Sequence, residues 1–320
     1  MILITGASGF IGSNIVAYFN EVGRTDIVLV DVLESGVKWR NIAKYRFLDF
    51  VFPDEIEAYL KSARNIEAII HLGANSSTTA IDGDAILRSN FRASQMYWNW
   101  CADTGVPMIY ASSAATYGDG SKGFLDDQSL DALDALRPLN LYGWTKHAFD
   151  KWAVERAHEG RAPPQWVGLK FFNVYGPNEA HKGDMRSLVT KNFPAIRDGE
   201  EIALFRSHKE GYRDGEQLRD FIYVKDCVKV IAWLLNKPSV RGLFNLGTGH
   251  ARSFRDLMHA IGTAVGSEVK IRYVDMPATI RPNYQYFTQA DIGKLRQAGY
   301  GEEFFSIEAG VGDYIAATTD

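Results

Sequence analysis

A tyrosine and a lysine four residues apart, Tyr142 and Lys146 in the run Tyr-Gly-Trp-Thr-Lys, are the pair in this chain best suited to acid–base chemistry. On a helix that spacing puts both side chains on one face. An ammonium beside a phenol favours the phenolate, so the tyrosine can exchange a proton near neutrality. An exposed helix face could carry the same pair, but two further features set this one apart. The first is Ser112-Ser113-Ala114-Ala115-Thr116-Tyr117-Gly118, directly after the strand-like run Met108–Tyr110. Ligands of open α/β sheets sit at the carboxyl ends of strands, where a serine can hydrogen-bond the oxygen that the tyrosine deprotonates.

The second feature is Gly6-Ala7-Ser8-Gly9-Phe10-Ile11-Gly12, which follows Ile2-Leu3-Ile4 and opens a helical pattern. The first glycine permits a tight turn, the second lets backbone approach a pyrophosphate, and the third allows close helix–strand packing. The helix N-terminus adds N–H groups and a dipole that favour phosphate. Asp31 stands 19 residues after Gly12, at the end of Ile27–Val30, where an acid binds a ribose hydroxyl. This is a binding site for NAD(P). Asp31 suits a free 2′-hydroxyl, whereas Lys38 and Arg40 either neutralise a 2′-phosphate or are simply solvated. NADP is the expected cofactor, with NAD as the alternative.

Elements that position these groups can be read from periodicity. Ile2-Leu3-Ile4, Ile27–Val30, Ala68-Ile69-Ile70, Met108–Tyr110 and Trp166–Leu169 are short apolar runs of the kind buried in parallel sheets. Amphipathic stretches at Ile11–Glu21, Asp54–Ala63 and Ala85–Ala102 alternate with them. That rhythm predicts a Rossmann-like, doubly wound parallel sheet in an α/β chain. After about Asn173 the rhythm breaks. Asp220–Val224, the helix Val228–Leu235 and Phe244–Gly247 are expected to return to the first domain. The expected division is 1–173 plus 219–247 for cofactor, and a smaller, discontinuous α/β lobe of 174–218 plus 248–320 for substrate.

Composition narrows the class. In 320 residues, 35 basic and 39 acidic side chains leave a formal charge of −4, which argues against nucleic acid as the main partner. Two cysteines, Cys101 and Cys227, make no disulfide framework and fit a reducing compartment. No apolar stretch is long enough to span a membrane, and the start resembles no secretory signal, so the cytoplasm is expected. The histidines form no metal-ligand spacing, and no metal is expected.

Glycine motif, edge serine and Tyr-x-x-x-Lys in this order resemble the extended short-chain dehydrogenase/reductase family. His71-Leu72-Gly73-Ala74 and Phe171-Phe172-Asn173-Val174-Tyr175-Gly176-Pro177 also match its pattern, and the resemblance covers essentially the whole chain. It implies that Tyr142 is the acid/base, that Lys146 tunes it and holds the nicotinamide ribose, and that Ser113 positions the substrate hydroxyl. The implied cofactor set is Gly6, Gly9, Phe10, Ile11, Gly12, Asp31, Lys38, Asn90, Tyr142 and Lys146. Dehydratases of the family carry an Asp-Glu pair where this chain has Ala115-Thr116, which points instead to an epimerase or reductase.

The runs His181-Lys182-Gly183 and Tyr284-Gln285-Tyr286-Phe287-Thr288-Gln289-Ala290-Asp291 are similar to those of the family's epimerases acting on an ADP-linked heptose. That branch serves a bacterial surface polysaccharide, and its members form homo-oligomers. The resemblance implies that Lys182 is a second acid/base, because inversion through a ketone needs proton donors on both faces. Without it Lys182 would read as a solvated loop lysine. Arg219 is implied to meet the diphosphate, with Asn173, His181 and Tyr284 lining the substrate pocket; for His181 and Tyr284 plain packing is an equal alternative. The chain departs from NADP-using members in having Val32 after the acid and no lysine near Pro53. It also carries extra residues around Asp126–Leu136 and Ser207–Gln217. Another nucleotide-sugar epimerase or a reductase is the alternative within the family. A nucleotide sensor without catalysis is more remote, since Ser113, Tyr142 and Lys146 are all retained.

Overall fold

The apolar runs do become strands. A computed structural model describes every residue except Thr279, Pro282, Asn283 and Asp320, and all but the side chain of Thr319. The strands in chain order are β1 (Ile2–Thr5), β2 (Ile27–Val30), β3 (Asp49–Val51), β4 (Ala68–His71), β5 (Met108–Ser113) and β6 (Trp166–Phe171). They continue with β7 (Asn173–Tyr175), β8 (Glu201–Phe205), β9 (Leu218–Tyr223), β10 (Gly242–Leu246), β11 (Ala251–Ser253) and β12 (Lys270–Val274). A seven-stranded sheet has the order β10-β6-β5-β4-β1-β2-β3. β1 pairs in parallel with β2 and β4, β2 with β3, and β4 with β5. β1, β2, β4 and β6 are buried along their whole length, which is why no polar alternation marks them in the sequence. Chain order reverses between β1 and β4, so the ends of β1, β4 and β5 open side by side at the switch point where such sheets bind ligands.

Chain contacts divide the protein into two units. The first comprises Met1–Gly118, Asp126–Lys170 and Cys227–Phe244; the second comprises Asp119–Leu125, Phe171–Asp226 and Asn245–Asp320. The expected return of 220–224 to the first domain is corrected here. β9 instead lies in a three-stranded sheet, antiparallel to β11 and parallel to β7. The buried Asp220 carboxylate anchors it there, accepting from the backbone N–H groups of Thr248 (2.7 Å), Gly249 (2.9 Å) and Ala290 (2.9 Å). By contrast, Gly242–Leu246 does join the large sheet as its edge strand.

In the first unit the helix Leu141–His158, which bears Tyr142 and Lys146, is held by aromatic packing. Trp98, fully buried on the helix Ala93–Thr104, meets Phe149, Trp152 and Trp166 at centroid distances of 6.1, 6.0 and 5.3 Å. Truncating such a buried indole costs about 3–5 kcal/mol. In the second unit the helix Phe254–Val265, capped by a Ser253–Asp256 capping box, packs on Leu188–Arg197 and Ile307–Thr319. Cys101 and Cys227 are both buried. Among the described residues no helix is long and apolar enough to cross a membrane.

Candidate active site

The glycines after β1 are there because nothing larger fits. Gly6 has φ +65°, and a Cβ on it would stand 2.8 Å from the backbone nitrogen of Gly73. A Cβ on Gly12 would fall 2.1 Å from the Gly6 carbonyl oxygen, so the helix Phe10–Glu21 starts hard against the turn. Gly9 caps that helix without a side-chain bond. Phe10 points into the core and Ile11 is half-buried. A close backbone cradle at an uncapped helix start fits a dinucleotide pyrophosphate.

Asp31, at the end of β2, is buried. Its Oδ2 accepts from the Ser8 N–H (2.8 Å) and hydroxyl (2.6 Å), and its Oδ1 accepts from the Val32 N–H (2.7 Å). Lys38 Nζ stands 2.7 Å from the same Oδ1 and donates to the Val32 carbonyl at 2.8 Å. The acid and the base singled out in the sequence therefore meet.

His71 closes β4 with a relay. Gly73 N–H donates to Thr5 Oγ1 (2.8 Å), which lies 2.7 Å from His71 Nδ1; His71 Nε2 lies 2.9 Å from Ser94 Oγ, which donates to the Asn90 carbonyl. Thr5 must donate to Nδ1 and Ser94 must accept from Nε2, so the ring is the neutral Nε2–H tautomer. Burial drives its pKa down to about 3, with the Lys146 charge adding to the shift. Asn90 itself is fully buried. Its amide bonds the backbone of Asn75 (2.8 and 2.9 Å), Ser89 Oγ (2.9 Å) and Thr145 Oγ1 (3.1 Å). Asn90, expected at the cofactor, ties the loop after β4 to the tyrosine helix through its side chain.

Ser113, Tyr142 and Lys146 come together as the spacing predicts. Ser113 ends β5, and its hydroxyl accepts from the Ala115 N–H at 3.1 Å, starting a short 3-10 turn. The tyrosine helix is capped by Asn140, whose Oδ1 accepts from the Gly143 N–H at 2.8 Å. It meets that turn closely enough that a Cβ on Gly143 would lie 2.8 Å from the Ala115 carbonyl oxygen. This approach brings the Tyr142 hydroxyl close enough to Ser113 for the serine to favour its ionised form. One expectation is corrected. The Tyr142 pKa is raised, mainly by burial with Asp150 adding to it, while Ser113 works the other way. Lys146 Nζ donates to the Ala111 carbonyl at 2.8 Å, and burial lowers its pKa to about 8 against the pull of Asp150.

The second unit holds the remaining residues. Glu179, buried at the start of the 3-10 segment Ala180–Met185, accepts from the Ser187 N–H and hydroxyl (both 2.5 Å), Thr190 Oγ1 (2.6 Å) and the Tyr314 hydroxyl (3.1 Å). That clasp closes the loop bearing His181 and Lys182, and Lys182 N–H donates to the Glu179 carbonyl at 3.0 Å. Burial lowers the Lys182 pKa, opposed by the Glu179 charge. Asn173 is exposed on β7, 3.5 Å from Thr288 Oγ1. Arg219 is buried between the rings of Phe254 (5.4 Å) and Tyr284 (5.2 Å), donating to the carbonyls of Leu218 and Gln285. A cavity of about 680 Å³ lies in this unit, lined by Phe124, His208, Lys209, Arg281, Tyr284, Tyr286 and Phe287 among others. Tyr284 was expected here; Lys209 and Arg281, two cations that suit a diphosphate, were not. Arg219 does not line this cavity.

The NAD dependent epimerase/dehydratase family model matches residues 2–247. The chain is 46% identical to the ADP-L-glycero-D-manno-heptose-6-epimerase of Fusobacterium nucleatum subsp. nucleatum, over 98% of this chain and 97% of that one. To the enzyme of the same name from Nitratidesulfovibrio vulgaris it is 47% identical, over 98% and 97%. The crystal structure of Helicobacter pylori ADP-L-glycero-D-manno-heptose-6-epimerase superposes with a TM-score of 0.82 at 26% identity, covering 99% of this chain and 96% of that one.

Proposed function

The chain belongs to the NAD dependent epimerase/dehydratase family, and on that footing we propose that it inverts C6 of the heptose in ADP-D-glycero-D-manno-heptose. The observation that carries this reading is the near-full-length similarity to enzymes of that name, together with Ser113, Tyr142 and Lys146 assembled in the first unit.

Bound NAD(P)+ supplies a reversible hydride acceptor, held by the Gly6–Gly12 turn and Asp31. Tyr142 would take the C6 hydroxyl proton during the oxidation, and Ser113 would orient the oxygen. The resulting 6-ketone would turn over so that its other face is presented for reduction. Lys182 exchanges the proton on that side, which its burial-lowered pKa favours. Lys209 and Arg281 hold the diphosphate in the second unit, and the ring of Tyr284 stacks beside it. Arg219 serves as the cation beneath that ring. Lys38 beside Asp31 supports NADP, since its ammonium can meet a 2′-phosphate that Asp31 alone would repel.

The test is to incubate purified protein with ADP-D-glycero-D-manno-heptose and follow C6 inversion by NMR. Conversion without added cofactor supports an epimerase that recycles tightly held NAD(P). No conversion even with NAD+ and NADP+ added would reject this substrate. Stoichiometric loss of NADPH absorbance with a keto sugar would favour a reductase instead.

A further inference from the structure

Beneath the serine turn lies an ion pair that the proposed chemistry does not use. Lys170, on β6, and Asp150, on the tyrosine helix one turn past Lys146, are both buried, with Nζ 3.4 Å from Oδ2. Asp150 Oδ1 accepts from the Tyr110 hydroxyl at 3.1 Å, and Oδ2 from the Ser112 hydroxyl at 2.6 Å. Lys170 Nζ donates to Thr116 Oγ1 at 2.9 Å, and that hydroxyl donates to the Ser113 carbonyl at 2.8 Å. The ammonium also sits 4.5 Å from the centroid of the Tyr117 ring. A continuous set of polar contacts therefore links β6, the Ser113 turn, β5 and the tyrosine helix.

Stability alone is a weak reason for such a pair, because well-packed apolar residues of similar volume are often as stable. What apolar residues cannot supply is a field. The charge of Asp150 reaches the titrating groups: it raises the pKa of Lys146 and works against ionisation of Tyr142.

We propose that Lys170 is a positioning residue for the Ser113–Tyr142–Lys146 group, neutralising Asp150 where its charge reaches Tyr142 and Lys146 and holding the Ser113 turn through Thr116. The proposal rests on the acid–base reading of that group. The other groups around it are Tyr110, Ser112 and Ser113 from β5, His71 from β4, His147 on the same helix, and Asp126, whose charge acts on Lys170. Asp134 and Lys151 act on His147 from farther out. Removing Lys170 while Asp150 stays leaves a negative field that raises the pKa of both Lys146 and Tyr142. Neutralising Asp150 while Lys170 stays lowers both.

Lys146 is the reporter, because it titrates near pH 8 and needs no substrate. The 13Cε signal of Lys146 in lysine-labelled full-length protein, identified by its loss in Lys146→Arg, is followed against pH. Lys170→Met is expected to raise the midpoint by about one unit, Asp150→Asn to lower it by a similar amount, and Lys170→Arg to restore it. If the epimerase reading holds, Lys170→Met also lowers kcat about tenfold and moves the alkaline limb set by Lys146 upward, with KM little changed. A folded Lys170→Met with an unmoved midpoint would overturn the proposal. Should that variant fail to fold, an unmoved or raised midpoint in Asp150→Asn would overturn it equally. An inactive wild type on the ADP-heptose defeats the substrate reading alone, because the titration is read without substrate.

Discussion

Lys38 Nζ stands 2.7 Å from Asp31 Oδ1, so the acid at the end of β2 carries its own cation. A 2′-phosphate arriving there meets a neutralised carboxylate, and the loss of that cation should penalise NADP+ more than NAD+. Lys38→Ala is expected to weaken NADP+ binding about tenfold, roughly 1.4 kcal/mol, and to leave NAD+ nearly unchanged. Fluorescence titration with both cofactors checks this. Equal losses would show that Lys38 does not sense the 2′ position.

Tyr142→Phe should reduce kcat by about 10²–10⁴ while cofactor binding and thermal melting stay as in the wild type. Normal turnover by this variant would remove Tyr142 from the chemistry.

The Lys146 pKa near 8 is expected to set an alkaline limit. Activity that needs a charged Lys146 is present below that pH and is lost as pH rises through it. Lys146→Arg keeps the charge at high pH, so its alkaline limb should move upward even though its maximum falls. A limb that stays at about pH 8 in Lys146→Arg would assign it to another group.

Lys182→Met is expected to slow epimerisation severely in both directions with NAD(P) binding intact, and unchanged rates would sink the two-base scheme. Glu179→Gln tests the loop that carries it. A Gln amide would turn an N–H₂ toward donors that now face carboxylate oxygens, costing about 1–3 kcal/mol of stability. Urea unfolding measures that cost, and KM and kcat measured together report whether Lys182 has shifted.

His71 gives a pH dependence of stability with a definite sign. Its folded pKa, about 3, lies below the ordinary value of 6.5, so the unfolded chain binds the extra proton between these limits. The contribution is fully present above pH 6.5 and is lost as pH falls toward 3, with a slope of up to ~1.4 kcal/mol per unit. His147, lowered to about 4 by burial, adds in the same direction. Urea midpoints at pH 7 and pH 5 should show the fall, and His71→Gln should flatten it.

The parts of this architecture legible in the sequence are those written in neighbouring residues. The Gly6–Gly12 turn, Asp31 at a strand end, Ser113 after β5 and the four-residue step from Tyr142 to Lys146 are local patterns. Glu179 with Tyr314, 135 residues apart, and Lys170 with Asp150 are not, because nothing in periodicity reports a partner across the fold. β9 shows the same limit. Its apolar run predicts a strand correctly, yet its partners are β11 and β7, beside which Asp220 binds Thr248, Gly249 and Ala290, all distant in sequence. The tyrosine's proton affinity was misjudged for a related reason: spacing locates Lys146 but says nothing of the burial that governs Tyr142.

The first unit takes its last piece, Cys227–Phe244, from beyond a long stretch of the second. A ribosome making this chain at ~5–20 residues per second would finish Lys170 some 4–15 s before Phe244. Throughout that interval β6 is an open edge of apolar residues with no β10 to pair with. The nascent protein is therefore most vulnerable to aggregation between those two points of synthesis, and a chaperone has its best reason to hold it there.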